Sequence, residues 1–365
     1  MSATTTTPPT PWPTVKLGDV CEVLDFKRKP ITKKDRMSGE IPYYGATGIV
    51  DYVEGFLFEE KLVLLGEDGA KWGASEPSAF IVEGKTWVNN HAHVLRPKEI
   101  LLHTYLTFYL NNADLNPFVT GVTVPKLNQQ RMCDIPIPLP PLDVQREIVA
   151  KVEEGLKEAD TLAAHFKRLA TLADETFKAE LDETFTTLNA PTVKLGDVCE
   201  VLDSKRKPIT KKDRIPGKIP YYGATGIVDY VEGFLFEEKL VLLGEDGAKW
   251  GASEPSAFIV EGKAWVNNHA HVLCPQEILL HEYLTFYLNN ADLTTFITGV
   301  TVPKLNQQKM CEIPIPLPSL DIQREIVAQL EAVKARCERL KTEAERGLKA
   351  AEALRKAVLA EAFEQ

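Results

Sequence analysis

Hydrophobic positions recur with helical spacing in two long segments of the chain. One stripe comprises Ile148, Val152, Gly155, Ala159, Leu162, Phe166, Leu169, Ala173, Phe177, Leu181 and Phe185. The other comprises Ile326, Leu330, Val333, Cys337, Leu340, Ala344, Gly347, Ala351, Leu354 and Val358. A 4–3 spacing kept over several heptads, with charged residues between, is typical of a coiled coil. The pattern predicts two rods of about 65 Å each, since a helix rises 1.5 Å per residue. The alternative is two unrelated helices that pack on their own domains.

Shorter hydrophobic runs before each long segment have a different period. "KLVLLG", "AFIV" and "TWVNNHAHVL" are rich in β-branched and apolar residues and are bounded by Gly, Pro or Asn, which predicts strands. "EILLHTYLTFYLNN" has helical spacing and ends at an Asn pair that suits a helix terminus. Two strand-rich regions that alternate with long helices indicate an α+β fold.

The chain is a tandem duplication. Thr14 aligns with Thr192, and the match continues without a gap to Ala150 and Ala328, with about 15 differences. A repeat of this length is a duplicated domain and not a solenoid. We therefore expect a disordered leader at 1–13, globular domains at 14–142 and 192–320, and helices at 143–188 and 321–365.

A proline ladder joins each globular domain to its helix. "CDIPIPLPPLDVQREIV" begins at Cys133 and returns as "CEIPIPLPSLDIQREIV" at Cys311. Proline lacks an N–H donor and favours an extended backbone, so the ladder is predicted to be a stiff arm and hinge. Asp143 is a plausible N-cap for the helix that follows.

Composition narrows the class of protein. The chain has 365 residues, 44% of them hydrophobic, which suffices for two or three domains. The six cysteines lack the spacing of metal ligands, which indicates buried or incidental thiols of a protein in a reducing compartment. The start lacks the features of a signal peptide and no apolar run is long enough to span a bilayer, so a soluble cytoplasmic protein is expected.

Charge is unevenly distributed along the chain. The net charge is −10, but segment 143–185, with 6 basic and 11 acidic residues, accounts for half of the deficit. The globular domains carry basic clusters, "KRKPITKKDR" at Lys27–Arg36 and again at Lys205–Arg214. An acidic total therefore does not exclude DNA as a partner; it requires a local binding face.

The order of these elements, with "PKLNQQ", "IPIPLPPLDVQREIV" and "WVNNHAHVL", closely resembles the DNA-specificity (S) subunits of Type I restriction–modification systems. The resemblance covers both copies, from about Val15 onward. It implies two target-recognition domains, each reading half of a split DNA sequence, and two antiparallel helices that set the gap between the halves. Implied partners are double-stranded DNA, two copies of the methyltransferase (M) subunit and restriction (R) subunits. Adenine-N6 methylation and DNA cleavage, with S-adenosylmethionine, ATP and Mg, would then be the work of those subunits.

The chain departs from the family pattern because its two recognition domains are nearly the same. Family members commonly carry two dissimilar ones. Antiparallel helices would relate the two domains by a pseudo-twofold axis, and a twofold protein reads inverted half-sites. We therefore expect a palindromic or near-palindromic bipartite target.

Candidate DNA contacts are the mobile cations and amide side chains of the repeats, because phosphates attract Lys and Arg, and base edges accept bonds from Arg, Asn and Gln. The candidates are Lys27, Arg28, Lys29, Lys33, Lys34, Arg36, Lys71, Lys126, Asn128 and Gln129, with Lys205, Arg206, Lys207, Lys211, Lys212, Arg214, Lys249, Lys304, Asn306 and Gln307.

Each candidate has a structural alternative. The basic segments could be solvated loops. "GEDGAKWG" (66–73, 244–251) could be a Gly-rich loop that enters a DNA groove, with Lys71 and Lys249 as contacts and Trp72 and Trp250 as anchors, or it could be a structural turn. That stretch does not match the phosphate-binding pattern GxxxxGK[ST]. The "NNHAH" stretch places His91 and His93 on one face of a strand, but no further metal ligands stand at suitable spacing, so no metal site is predicted. The "PKLNQQ" amides could contact DNA or fix a loop.

Catalysis by this chain alone is not expected. Asn116-Pro117-Phe118 only partly matches an adenine-methyltransferase motif, and the other copy has Thr294-Thr295-Phe296. One competing hypothesis is a non-catalytic, duplicated protein-binding scaffold, which the acidic total favours. Another is a nuclease built on Glu67, Asp68 and Lys71. Salt-dependent DNA binding would favour the specificity subunit over the scaffold.

Overall fold

The chain forms two compact units. The computed structural model describes residues 12–121, 123–299 and 301–363. Within these residues the first unit consists of 12–166 with 346–363, and the second consists of 167–345. Most of the expected disordered leader, residues 1–11, lies outside the described residues.

In the first unit, short strands and helices alternate. The strands are β1 (Thr14–Lys16), β2 (Cys21–Val23), β3 (Ser38–Gly45), β4 (Gly48–Val53), β5 (Phe58–Glu59), β6 (Leu62–Gly66), β7 (Ala79–Val82), β8 (Lys85–Val88), β9 (Ala92–Pro97) and β10 (Pro136–Pro138). The helices are α1 (Leu17–Val20), α2 (His103–Asn112) and α3 (Gln129–Cys133), with 3-10 turns at Asp25–Lys27, Lys33–Asp35 and Asn116–Phe118.

These strands form three sheets. The orders are β2-β9-β6-β7, β4-β3-β8-β5 and β1-β10. All pairings are antiparallel except that of β3 with β8. A bulge between Tyr43 and Tyr44 shifts the register of β3 against β4.

Strand β6 is buried on both faces, which explains its continuous apolar sequence. Its side chains alternate between two cores. Val63 and Leu65 face α2 and the long helices, whereas Leu62 and Leu64 face the core shared with the second four-stranded sheet. A strand covered on both faces reads as an unbroken hydrophobic run. The strands predicted from "KLVLLG" and "AFIV" are confirmed as β6 and β7, and the Asn pair ends α2 as predicted.

The second unit repeats this arrangement. Its strands are β11 (Thr192–Lys194), β12 (Cys199–Val201), β13 (Pro216–Gly223), β14 (Gly226–Val231), β15 (Leu240–Gly244), β16 (Ala257–Val260), β17 (Trp265–Val266), β18 (Ala270–Pro275) and β19 (Pro314–Pro316). Its short helices are α5 (Leu195–Val198), α6 (His281–Asn290) and α7 (Gln307–Cys311). The sheet orders are β12-β18-β15-β16, β14-β13-β17 and β11-β19.

Two long helices contribute to both units. They are α4 (Leu142–Thr187) and α8 (Leu320–Phe363). In the first unit, Gly155 lies against Val358 and Phe166 against Gly347, so the two helix segments run antiparallel. In the second unit, Asp174 pairs with Lys341 at 2.6 Å and Glu180 accepts a hydrogen bond from Gln329 at 2.5 Å, which gives the same antiparallel direction.

Glycine permits the close helix approach in the first unit. A Cβ added at Gly155 would lie 2.7 Å from a methyl carbon of Val358, and one at Gly347 would overlap the Phe166 ring. Small residues at these two positions therefore allow the large side chains opposite them to fill the seam.

The predicted apolar stripes form the packed seams with one exception. Among the predicted stripe positions, Val152 and Leu330 are fully buried, and the following are buried or half-buried: Ile148, Leu162, Phe166, Leu169, Ile326, Val333 and Leu340. The prediction for Leu354 is wrong, because its side chain is 38% exposed. A straight helix drifts about 20° per heptad against a strict 3.5-residue repeat. By the last turns of α8, burial has moved to Leu359 and Phe363.

The proline ladder is not a free arm, which corrects the sequence prediction. Strand β10 pairs with β1, and its carbonyl groups accept hydrogen bonds from tyrosines of α2. Tyr109 donates its hydroxyl to Pro136 O at 2.7 Å and Tyr105 donates to Pro138 O at 3.0 Å. Prolines cannot donate to a ladder, but their carbonyl oxygens still accept, so this segment is built into the unit.

A glutamine fixes the start of α4. Gln145 is fully buried; its Oε1 accepts from Leu102 N, and its Nε2 donates to Ile100 O and Pro140 O, all at 2.9 Å. Asp143 lies inside the first turn and is not the N-cap that was predicted. The long helix is thereby tied to the start of α2.

The cysteines are free thiols. Burial raises the pKa of Cys21 and that of Cys199 to about 12. Among the described residues, every helix is too short or too polar to cross a membrane.

Candidate nucleic-acid interface

Four stretches of the first unit converge around Glu67, the residue that follows β6. They are residues 25–29, 66–73, 89–93 and 126–128, which we call the clustered loops. The Glu67 N–H donates to His91 O and the Leu127 N–H donates to Glu67 O, both at 2.8 Å. Gly66 allows the tight turn after β6, because a Cβ at this position would lie 2.4 Å from the Cβ of Ala70.

The Glu67 carboxylate joins two cations from different loops. Its Oε2 pairs with the guanidinium of Arg28, and its Oε1 lies 2.8 Å from Lys126 Nζ. Glu67 is 7% exposed, whereas the side chain of Lys126 is 42% exposed. The carboxylate therefore fixes Arg28 on the inner side and Lys126 on the solvent side.

Two further buried residues, Asp25 and His93, lie beside Glu67 on its inner side and contact each other. Asp25 Oδ2 lies 2.5 Å from His93 Nδ1, and Asp25 Oδ1 accepts from Val94 N at 2.8 Å. His93 is fully buried, and its Nε2 contacts Leu127 O at 2.7 Å. These bonds connect the 25–29 turn, strand β9 and the 126–128 segment.

Asp25, Glu67 and His93 present one ligand atom each within 4.8 Å of one another, a spacing that a metal ion could use. Those atoms already have partners. Arg28 pairs with both carboxylates, and the two nitrogens of His93 contact Asp25 and Leu127. A metal would have to displace these bonds and sit beside two cations, so we interpret the cluster as an internal ion-pair network.

The network shifts the affinity of Glu67 for its proton. Burial opposes ionisation and is the largest single influence, but the hydrogen bonds from Lys126 and Arg28 and the charge of His93 together outweigh it. The pKa of Glu67 is therefore below its ordinary value. The hydrogen bond to Glu67 raises the pKa of Lys126. Both groups are charged at neutral pH.

The second unit carries the same network. Glu245 pairs with Arg206 and lies 2.7 Å from Lys304 Nζ, and Asp203 lies 2.5 Å from His271 Nδ1. The clustered loops of this unit are residues 203–207, 244–251, 267–271 and 304–306.

In the basic segments the arginines point inward and the lysines outward. Arg28 belongs to the network, and Arg36 pairs with Asp51 at 2.8 Å and stacks on Tyr43 at 4.6 Å. Arg206 and Arg214 do the same in the second unit. The exposed lysines are Lys27, Lys29, Lys33, Lys34, Lys205, Lys207, Lys211 and Lys212. The lysines are thus available to a phosphate, whereas the arginines have internal partners.

The "GEDGAKWG" stretch is a turn anchored by its tryptophan. Trp72 is 6% exposed and donates to Gly66 O at 3.0 Å, and Trp250 does the same to Gly244 O at 2.9 Å. Lys71 and Lys249 project from this turn, with side chains 80% and 79% exposed. Both tryptophans therefore hold the turn to the end of the preceding strand, and the lysines remain candidates for DNA contact.

The amide residues after Lys126 divide into two roles. Asn128 caps α3 by accepting from Arg131 N at 3.0 Å, and Asn306 caps α7 by accepting from Lys309 N at 2.9 Å. Gln129 and Gln307 are exposed. The loop-fixing role foreseen for this stretch therefore belongs to the asparagines, and the glutamines remain candidates for DNA contact.

The sequence did not reveal the network itself. Its members stand far apart in the chain, and the role that the sequence suggests for Glu67 is that of a nuclease residue. The recurrence of Asp25, Glu67 and His93 in both copies was visible, but their contact depends on strand pairing that no local pattern predicts.

Known proteins resemble both copies of the repeat. The family model "Type I restriction modification DNA specificity domain" matches residues 9–163 and 189–350. A putative type I restriction enzyme specificity subunit from Haemophilus influenzae is 31% identical over 343 residues, covering 86% of each chain. The type I restriction enzyme EcoDI specificity subunit of Escherichia coli is 19% identical over 417 residues, covering 97% of this chain and 88% of the relative.

Solved structures share the fold. A chain from a study of the assembly and conformational transition of the type I restriction–modification system superposes with a TM-score of 0.72 at 19% identity, over 98% of both chains. The HsdS subunit of Thermoanaerobacter tengcongensis superposes with a TM-score of 0.58 at 18% identity, over 100% of this chain and 99% of that one. Because the family model matches most of the sequence in two copies, the chain belongs to the family of type I restriction–modification DNA specificity subunits.

Proposed function

We propose that this chain is the specificity subunit of a type I restriction–modification complex and that each unit reads one half of a split DNA target. The observation that carries the proposal is the repeated set of clustered loops, each bordered by exposed lysines of a basic segment. Exposed lysines supply non-specific phosphate affinity, and loops held by an internal network present side chains to base edges in fixed positions. Family membership favours this function over a protein-binding scaffold.

The target proposed is a pair of identical half-sites in inverted order. The fifteen differences between the copies, counted between 14–150 and 192–328, leave Lys27–Arg36 and Lys205–Arg214 identical. Within the clustered loops they touch one position, where Phe26 corresponds to Ser204. Two readers with the same contact residues select the same bases. The antiparallel direction of the helix segments in each unit supports inverted order.

The chain is proposed to direct its partner subunits to a DNA sequence and not to catalyse methylation or cleavage itself. Methyl transfer to adenine N6 would be performed by two copies of an M subunit with S-adenosylmethionine, and cleavage by R subunits with ATP and Mg. The partial methyltransferase motif Asn116–Phe118 is a 3-10 turn, and the turn at Thr294–Phe296 has the same form without Asn or Pro. The turn therefore forms with or without the Asn and Pro that the methyltransferase motif needs. We expect the complex to act in the cytoplasm, where DNA is accessible.

The test is methylation in a host that lacks adenine methylation. The chain is co-expressed with its methyltransferase subunit, and methylated adenines are located by single-molecule sequencing. The expected result is one bipartite motif whose halves are identical and inverted. Absence of any methylation that depends on the chain would overturn the proposed function, whereas two unrelated halves would overturn only the palindrome.

A further inference from the structure

We propose that Glu67, and Glu245 in the second unit, are specificity-determining positioning residues that neutralise cations of the DNA-facing loops and so suppress binding to arbitrary sequences. This inference rests on the proposed function. It assigns the carboxylate a role in discrimination, which differs from a role in folding alone.

The first support is the number of loops that this residue joins. Through its side chain, Glu67 holds Arg28 and Lys126; through its backbone, it holds His91 and Leu127. His93 Nδ1 lies 3.7 Å from the same carboxylate. A residue that contacts three other chain segments determines how far apart their exposed side chains stand.

The second support is the balance of charge. Asp25 and Glu67 are the carboxylates that pair with Arg28, and Glu67 is the nearest carboxylate to Lys126, with Asp68 at 3.9 Å. Replacing Glu67 by an isosteric amide removes one negative charge while Arg28 and Lys126 keep theirs. The excess positive charge then attracts any phosphate backbone, because that attraction carries no sequence information.

The third support is the partial exposure of Lys126. An ammonium group has three N–H donors, and Glu67 accepts one of them at 2.8 Å. The side chain is 42% exposed, so its remaining donors can meet a phosphate oxygen. With Glu67 in place, Lys126 is held in one orientation; without it, the flexible side chain accepts a phosphate in many positions.

The experiment uses full-length Glu67→Gln and Glu245→Gln variants, made singly, with the M subunit present. Matched controls are Glu83→Gln and Glu261→Gln, equivalent exposed carboxylates outside the clustered loops. Affinity is measured for random-sequence duplexes and for the target that the wild type selects from a random library. Thermal unfolding of each variant is recorded beside the binding data.

The expected result has two opposite parts. Affinity for random duplexes rises several-fold, and the slope of log affinity against log salt becomes steeper by about one phosphate contact, or roughly 0.9. Preference for the selected target falls about tenfold. In a library selection, one half of the target becomes degenerate, and the half read by the unchanged unit stays sharp.

A purely structural role predicts a different pattern, in which affinity for every duplex falls in proportion to lost stability. That pattern, or unchanged discrimination, would overturn the inference. If a Gln variant does not fold, Lys126→Gln provides the second measurement: it should lower random-duplex affinity while the other half of the target stays sharp, and an unchanged affinity would refute the role of the pair. A wild type that selects no sequence would instead refute the proposed function.

Discussion

Phe363, at the end of α8, packs edge-on against Tyr105 of α2, with ring centroids 5.5 Å apart and planes at 62°. Phe185, near the end of α4, has the same relation to Tyr283 in the second unit, at 5.6 Å and 65°. The two phenylalanines occupy equivalent positions of the repeat. The first core is thus completed by a helix end that is distant in sequence from its strands, whereas the second is completed by the helix end that leads into its own first strand, β11.

Phe363→Ala should destabilise the first unit by about 3 kcal/mol, because it removes a buried aromatic ring and leaves a cavity between two tyrosines. The loss should appear as faster hydrogen exchange in peptides from α2, with little change in peptides from α6. Phe185→Ala is the matched control and should produce the reverse pattern. Equal acceleration in both helices would contradict this assignment.

Cys274→Arg should stabilise the second unit. At the equivalent position Arg96 lies 2.5 Å from Glu22 and 2.6 Å from Glu60. In the second unit Glu200 and Glu238 face Cys274, and their charges, after burial, contribute to raising the pKa of its thiol. Because these groups are partly exposed, the gain should be only about 1 kcal/mol.

Urea unfolding at low and high salt measures this gain, which should shrink at high salt because salt screens exposed ion pairs. Arg96→Cys in the first unit is the reciprocal change and should cost a similar amount. A stabilisation that salt leaves intact would show that packing, and not charge, is responsible.

The sequence predicts those strands and helices whose buried face follows from a regular spacing of hydrophobic residues. The apolar run of β6 and the stripe through Val152 and Leu330 both follow from burial of a regular face. Leu354 is wrongly assigned to the buried stripe because the seam drifts along the helix, and the proline ladder is wrongly predicted to be an arm because its partner β1 lies more than a hundred residues away. The network around Glu67 was unpredictable for the same reason: its partners meet only after the sheets have formed.

Acid should weaken both units through the buried glutamates. The pKa of Glu67 and that of Glu245 lie below the ordinary value of 4.5, since their cationic partners outweigh the opposing effect of burial. A carboxyl group whose folded pKa is depressed adds stability above its unfolded pKa and loses it as pH falls through the folded value. The contribution should therefore be complete above about pH 4.5 and decline below it.

Urea midpoints measured between about pH 3 and pH 6 test this expectation. The double variant Glu67→Gln with Glu245→Gln should be less stable than the wild type near neutrality, and the difference should narrow as the pH falls. A difference that stays constant across this range would show that ionisation of these carboxylates is not linked to folding.

The basic segments should separate DNA affinity from stability. Replacing Lys33, Lys34, Lys211 and Lys212 by alanine should leave unfolding unchanged within about 0.5 kcal/mol, because these side chains are exposed. Random-duplex affinity should fall, and the salt slope should become shallower by about 0.9 for each lysine that contacts a phosphate.

Arg36→Ala should instead cost about 1 to 2 kcal/mol of stability, since Arg36 pairs with Asp51 and stacks on Tyr43. The double variant Lys85→Ala with Lys263→Ala is the control for loss of charge alone. Both lysines are exposed, and they lie at or just before the first residues of β8 and β17, at the strand ends that point away from the clustered loops. If that control lowers the salt slope as much as the quadruple variant does, the basic segments are not the DNA-contacting surface.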